Sequence, residues 1–182
     1  MKTPKPYRIY KNNVKAFVLG CDPTGFDKNK NRLEFEYVFD IGGDGRYFAG
    51  ILANLKELDL NLNDIYVQNL VTSYQEKETA KNKEWNKIAN AFIEERKKEF
   101  DSIDPSKQQP VFLTSELLYK VLLNQNQKRF TAKELYETKE IVPVPSNANQ
   151  LGRPLIPLYR HYAYSLKTKQ EYKNHLINYL TT

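Results

Sequence analysis

KAFVLGCDPTGF, residues 15–26, is an apolar run that stops at Gly20 and continues at once into Cys-Asp-Pro-Thr-Gly. A short apolar segment bounded by turn residues is typical of a buried parallel strand. In an open α/β sheet, ligands bind in the crevice outside the carboxyl ends of the strands. Asp22 lies just past such an end, so it is the first candidate for a catalytic carboxylate. The alternative is a turn in which its side chain only binds nearby backbone amides.

Strands and helices alternate along the rest of the chain. Besides 14–20, strands are predicted at 64–71, at 110–114 and once in the C-terminal third. Apolar residues recur at helical spacing in 47–58, in 85–100, after a predicted N-cap at Ser115, and near the C-terminus in 165–180. Right-handed crossovers between such strands predict an α/β fold, a three-layer α/β/α sandwich with a central, mainly parallel four-stranded sheet. Residues 26–46 are predicted as an elaborated loop that contains an extended segment, 33–45.

Composition narrows the class of protein. A chain of 182 residues with 40% hydrophobic content fits a single domain, residues 1–182. No run approaches the roughly 18 apolar residues of a membrane span, and residues 1–13 lack the apolar core of a signal peptide. We therefore expect a cytoplasmic monomer with no membrane partner. One cysteine and two distant histidines predict no metal site, and the lack of phosphate-binding glycine motifs predicts no nucleotide cofactor.

Charge and aromatic content favour a nucleic-acid partner. The formal net charge is +6, and 13 tyrosines and 9 phenylalanines accompany 28 lysines and arginines. Aromatic rings beside cations are the means by which proteins stack on exposed bases and hold their backbone. The alternative is that most of these rings belong to the core, since aromatics dominate core burial in general.

Two further stretches contain candidate site residues. Asn69 ends the apolar part of DIYVQNLVTSY, residues 64–74, and its amide offers a donor and an acceptor to the edge of a planar heterocycle. A loop cap is the alternative for this residue. Residues 142–166 concentrate prolines and tyrosines with Arg153, Arg160 and His161. They are predicted either to press on a nucleic-acid backbone or to form a proline-stiffened connector. His175 is predicted to be structural.

Taken in order, these pieces resemble the uracil-DNA glycosylase superfamily. The family motif GQDPYH is similar to GCDPTG at 20–25, and the family segment AFSV is similar to VFDI at 38–41. The second match places Phe39 at the stacking position, with Phe35 the other option. The family segment LLLNTVLTV is similar to YVQNLVTSY and has Asn69 in register. EWNKIANAFIEE at 84–95 and PVFLTSELLYKVL at 110–122 continue the likeness, which covers roughly residues 14–124.

The family's second motif, HPSPLS, has three alternative registers in this chain. VPVPSNAN at 142–149 preserves Pro145 and Ser146 but has Val144 at the histidine position. LYRHYAYSL at 158–166 supplies His161 without the Pro-Ser that should follow. A His-Pro-Arg variant aligned with IPLYRHY places Leu158 at the histidine position.

The resemblance implies a uracil-DNA glycosylase-like domain that excises uracil or a related damaged base from single- or double-stranded DNA, with water as nucleophile and no cofactor. It implies that Asp22 orients the water and stabilises the sugar cation, and that His161 donates to the leaving base. It assigns base binding to Cys21, Thr24, Phe39 and Asn69, and phosphate binding to Ser146, Arg153, Arg160 and Lys167.

Further expectations follow from the resemblance and from the positions at which this chain differs from the family motifs. Thr24 is smaller than the family's tyrosine, so exclusion of bulkier bases is expected to be relaxed. Leu151 or Leu158 is predicted to fill the gap left by the flipped base. One alternative is a catalytically silent member that binds DNA or a protein. Another is an unrelated α/β hydrolase-like enzyme with Asp22 as nucleophile. The chain lacks the Gly-x-Ser-x-Gly elbow that is typical of such hydrolases.

Overall fold

Four parallel strands form the centre of the molecule. A computed structural model describes residues 2–9 and 14–182 of the chain, so part of the segment assessed for a signal peptide, residues 1 and 10–13, lies outside the described residues. The strands are the following: β1 Ala16–Gly20, β2 Ile65–Asn69, β3 Val111–Leu113 and β4 Leu155–Pro157. Each falls within or near a predicted strand, and every strand residue is buried. The α/β prediction is confirmed.

Within residues 2–9 and 14–182, five α-helices connect and cover the strands: α1 Ala49–Glu57, α2 Trp85–Ile103, α3 Glu116–Leu122, α4 Ala132–Glu137 and α5 Gln170–Thr181. Short 3-10 helices occur at Val38–Asp40, Thr79–Lys81, Lys139–Ile141, Ser146–Ala148 and Tyr162–Tyr164. Ser115 caps α3 as predicted, because its hydroxyl accepts a hydrogen bond from the backbone N–H of Leu117. Within the described part of the chain, no helix combines the length and the apolar character needed to cross a membrane.

The strand order is β2-β1-β3-β4, with all neighbours parallel. The chain moves outward from β1 to β2, returns past β1 to β3, and continues to β4. Right-handed crossovers therefore place α1 on one face of the sheet and α2 and α3 on the other. Phe17 of β1 stacks on Phe100 of α2 at 4.3 Å between ring centroids. On the opposite face, an ion pair of 3.0 Å between Lys173 and Glu57 joins α5 to α1.

The direction of the connections reverses between β1 and β3. In open α/β sheets, such a reversal opens a crevice at the carboxyl ends of the two strands, because the loops that follow them separate to opposite faces. Gly20 and Leu113 end the two strands in this protein. The topology therefore places a crevice directly above Cys21 and Thr114.

The loop over β1 differs in part from its prediction as an extended segment. Residues 38–40 form a 3-10 turn in which Phe39 and Asp40 have φ values of 56° and 54°. A positive φ is costly for a residue that carries a Cβ, and such residues cluster at functional sites. The turn ends in a glycine-rich stretch in which Asp40 accepts a hydrogen bond from the backbone N–H of Asp44.

Candidate functional site

A cavity of about 630 Å³ lies at the carboxyl ends of the strands, at the reversal between β1 and β3. Loops that follow all four strands contribute to its wall. The wall includes 21–26 after β1, Asn69 of β2 and 78–80 after it, 114–117 after β3 and 159–161 after β4. A volume of this size is typical of pockets that enclose small organic ligands.

Asp22 is held in place at the cavity wall by three hydrogen-bond donors. Its Oδ1 accepts from the backbone N–H of Thr24 at 2.9 Å, which is the turn interaction proposed as its structural role. Its Oδ2 accepts from the Thr79 hydroxyl at 2.5 Å and from the Trp85 indole N–H at 2.8 Å. Three donors hold both oxygens of the carboxylate in fixed positions. Asp22 therefore combines the turn role with the properties of a fixed anion facing a cavity.

Asn69 lies at the bottom of the cavity with an unused amide. The residue is 3% exposed, and only its backbone N–H is bonded, to the Gln68 side chain. Its side-chain amide has no hydrogen-bond partner among residues 2–9 and 14–182. Its amide atoms are open to the cavity, so a donor and an acceptor are free to bind a group placed there. A ligand in the cavity is the natural partner for this amide.

The Phe39 ring packs against Gly20, next to the Asn69 side chain. A Cβ added to Gly20 would lie 2.3 Å from Oδ1 of Asn69 and 2.4 Å from Cζ of Phe39, so only glycine permits this approach. The ring of Phe39 packs in turn on Phe48, at 5.5 Å between centroids. Phe35, the other option for the stacking position, also lines the cavity. Contact with Gly20 places Phe39, rather than Phe35, beside the Asn69 amide.

Of the three residues considered for the histidine position, only His161 lines the cavity. The register that places Val144 at the histidine position is wrong, since Val144 is buried and pairs with Leu155 at the amino end of β4. Leu158 is wrong as well, because it is 0% exposed and its N–H donates to the carbonyl of Leu113. Nδ1 of His161 accepts a hydrogen bond of 3.2 Å from the N–H of Ala163. In the neutral ring the proton therefore lies on Nε2, and this N–H can donate a hydrogen bond.

Cys21 and Thr24 both line the cavity. Burial raises the pKa of the Cys21 thiol to about 12, and the hydrogen bond with Ser115 does not offset that effect. Cys21 is therefore a neutral thiol and a poor nucleophile at neutral pH. The Thr24 hydroxyl accepts a hydrogen bond of 2.7 Å from the N–H of Gln75, which ties the β1 loop to the loop that follows β2.

Two of the four residues predicted to bind phosphate are wrong. Arg153 is 0% exposed, because its guanidinium is paired with Asp101 at 2.9 Å and with Asp104 at 2.7 Å. Ser146 is exposed but lies before β4, at the end of the sheet opposite the cavity. Arg160 is exposed and lines the cavity, whereas Lys167 is exposed shortly before α5.

The predicted wedge residues are also wrong. Leu151 and Leu158 are both 0% exposed, so neither can enter a DNA stack. Tyr162 is 84% exposed and follows His161 directly, with their ring centroids 4.4 Å apart. Together with Ile9 it is one of two exposed large apolar side chains in the described part of the chain. Exposure of an aromatic ring at the cavity rim could not be seen in the sequence.

Sequence reasoning also missed the residues that hold Asp22. Trp85 fits the apolar pattern of α2, and that pattern agrees with its 2% exposure but does not reveal the bond from its N–H. Thr79 lies in a polar connector that contains no motif. Tyr159, another cavity residue, has a buried hydroxyl without a partner among the described residues, and burial raises its pKa.

No protein-family model matches this chain, and no curated protein is significantly similar to it in sequence.

Proposed function

We propose that the protein is a DNA glycosylase that hydrolyses the N-glycosidic bond of uracil or of a related damaged base flipped out of DNA. The observation that carries the proposal is the Asn69 amide. It makes no hydrogen bond to residues 2–9 or 14–182, and it lies beside the Phe39 ring in a cavity that Asp22 and His161 also line. The resemblance of the sequence to the uracil-DNA glycosylase superfamily points to the same residues.

Binding of the flipped base falls to Phe39 and Asn69. A base inside a duplex is out of reach of an enzyme, and extruding it costs a few kcal/mol of stacking and pairing. An aromatic face offers about 1–3 kcal/mol per stacked base, and an amide pairs with the carbonyl and N–H of a uracil-like edge. Both groups are held rigidly, since Phe39 packs on Phe48 and Asn69 ends a buried strand.

The chemistry falls to Asp22 and His161. The bond between C1′ of the sugar and the base nitrogen breaks, and its electron pair goes to the base. The Asp22 carboxylate stabilises the positive charge that develops on the sugar, and its Oδ1, which has one donor, can still accept from a water. The Nε2–H of the neutral His161 ring donates a hydrogen bond to the base as negative charge grows there, and the released anionic base takes a proton from solvent. The water then adds to C1′ and loses its proton to solvent.

The alternative with Asp22 as a nucleophile is weakened by its surroundings. Oδ2 accepts two hydrogen bonds and would have to lose one to attack, whereas Oδ1 accepts one and can still hold a water. Cys21 does not replace it, since its thiol is protonated at neutral pH. Water is thus the nucleophile that fits the site best.

The test is base release from oligonucleotides that contain uracil, hypoxanthine, xanthine or a mismatched thymine, followed by alkaline strand scission. We expect the wild type to produce abasic sites from at least one of these bases. We expect Asn69→Leu, which keeps the volume and removes the amide, to lower the rate about a hundredfold. No scission by the wild type, together with salt-sensitive DNA binding, would instead favour the catalytically silent DNA-binding member.

Tyr162 supplies a second prediction, on the form of the DNA. The exposed ring beside His161 is suited to stack in the gap that a flipped base leaves in a duplex. We expect Tyr162→Ala to lower excision from duplex DNA about tenfold and to leave excision from a single strand within about twofold, because a single strand has no gap to fill. Tyr162→Phe is the matched control and should retain the duplex rate. Equal losses on both substrates would contradict this role.

A further inference from the structure

The connector between β2 and α2 reaches across to the catalytic carboxylate. Thr79 begins a 3-10 helix at 79–81, and Trp85 is the first residue of α2. Both side chains donate to the same oxygen, Oδ2 of Asp22, at 2.5 Å and 2.8 Å. They lie 57 and 63 residues from Asp22 in sequence, so only the fold brings them together.

The connector is itself held by local bonds. The Asn82 side chain accepts from the N–H of Glu84 at 3.1 Å, and its carbonyl accepts from the N–H of Trp85 at 3.1 Å. Trp85 is 2% exposed, so its ring has little freedom to move. Glu78, a cavity residue beside Thr79, is paired with Lys81 at 2.6 Å. The two donors therefore reach Asp22 from a backbone with a defined shape.

We infer that Thr79 and Trp85 are positioning residues that fix the Asp22 carboxylate for base excision. The inference rests on the proposed function. A half-exposed aspartate can turn about its side-chain bonds, and a fixed charge stabilises a transition state only if it already has the right place. The backbone N–H of Thr24 holds Oδ1, but this bond lies within the turn itself. The two long-range donors are what ties the carboxylate to the rest of the molecule.

This role makes the two side chains act through Asp22 and not through the DNA. We expect Thr79→Val, which keeps the shape and removes the hydroxyl, to slow single-turnover excision about tenfold while the Kd for substrate DNA stays within about twofold. Thr79→Ser keeps the donor and should restore the rate to within about threefold of wild type. Trp85→Phe keeps a ring and loses the N–H, and we expect a similar tenfold loss. Lys83→Ala, an exposed residue of the same connector, is the matched control and should have no effect.

A double substitution separates positioning from a purely structural role. In the Asp22→Asn background, Thr79→Val should cause no further loss, because residues that act as a unit are not additive. The chain contains a single tryptophan, so fluorescence excited at wavelengths that tyrosine does not absorb reports on Trp85 alone. We expect its emission maximum to shift in Asp22→Ala, where the acceptor of its N–H is gone.

The outcomes distinguish the inference from the function on which it rests. Full excision by Thr79→Val, an equal loss in Thr79→Ser, an additive loss in the double variant, or unchanged Trp85 emission in Asp22→Ala would each overturn the positioning role while the glycosylase stands. Failure of the wild type to excise any base would overturn the proposed function and the inference together.

Discussion

Asp22→Asn is expected to lower the rate of base excision about a thousandfold while DNA binding is retained. Asparagine has nearly the same shape as aspartate, and its carbonyl oxygen can still accept from the N–H of Thr24. It has no negative charge to set against the sugar cation, and its amide nitrogen cannot accept from Thr79 or Trp85. Loss of one preorganised electrostatic group typically costs about 10²–10³ in rate. Single-turnover excision with enzyme in excess over substrate measures this loss directly.

Asp27→Asn is the matched control for that variant. Asp27 is a carboxylate in the next turn of the same loop that accepts bonds from Asn29 and Asn31 and does not line the cavity. It should leave excision unchanged within about twofold, since a surface carboxylate away from the sugar has little influence on its charge. If the two asparagine variants lost activity equally, the role of Asp22 would reduce to the turn that it forms.

Arg153→Met is expected to destabilise the fold by about 3 kcal/mol and to leave DNA binding unchanged. The guanidinium is fully buried, lies 5.1 Å over the Phe17 ring, and is paired with Asp101 and Asp104. Methionine fills most of the space but removes the buried cation that both carboxylates share, which leaves Asp101 with Lys107 and Asp104 with Ser106 and Gln109 as their remaining partners. For a chain of this length, we expect Tm to fall by roughly 6–12 °C in thermal unfolding.

This loss of stability should depend on pH. Burial raises the pKa of Asp101 and Asp104, but the hydrogen bonds they accept, including those from Arg153, outweigh it and leave both pKa values below the ordinary 3.8. A carboxyl group with a lowered pKa in the folded state stabilises the fold above its unfolded pKa, and that contribution is lost as the pH falls through the folded pKa. The difference between wild type and Arg153→Met should be full at neutral pH and shrink below about pH 4.

Arg160→Met is the matched control for Arg153→Met, with the opposite expected result. Arg160 is exposed at the cavity and forms no ion pair with another residue of 2–9 or 14–182. We expect its stability to stay within about 0.5 kcal/mol of wild type. We expect DNA binding to weaken, and the dependence of log K on log salt to become shallower by about one, as for loss of one phosphate contact. Weakened DNA binding in Arg153→Met at a temperature where it is folded would contradict the buried role.

Local sequence patterns were sufficient for most of the sheet and for part of the site. An apolar run that ends at Gly20 defines β1, because a strand buried on both faces needs continuous apolar residues and a turn must follow it. Asp22 and Asn69 were identifiable by the same reasoning, as polar residues at the carboxyl ends of predicted strands. Helix α4 was missed, although Thr131 and Glu134 form a capping box, because six residues give too little periodicity.

The sequence by itself therefore determined the α/β class, the order of the strands and of every α-helix except α4, and the strand-end positions of Asp22 and Asn69, since these depend on neighbours a few residues away. Only the tertiary structure decided which charges face the solvent: Arg153 is buried because Asp101 and Asp104, about fifty residues earlier, meet it. It also decided that His161 reaches the cavity, because β4 begins at Leu155 and places Val144 at its other end. The hydrogen bonds from Thr79 and Trp85 to Asp22 were likewise decided by the tertiary structure, since they join segments distant in sequence. Burial and long-range hydrogen bonds depend on how distant segments pack, and local residue patterns carry no record of that packing.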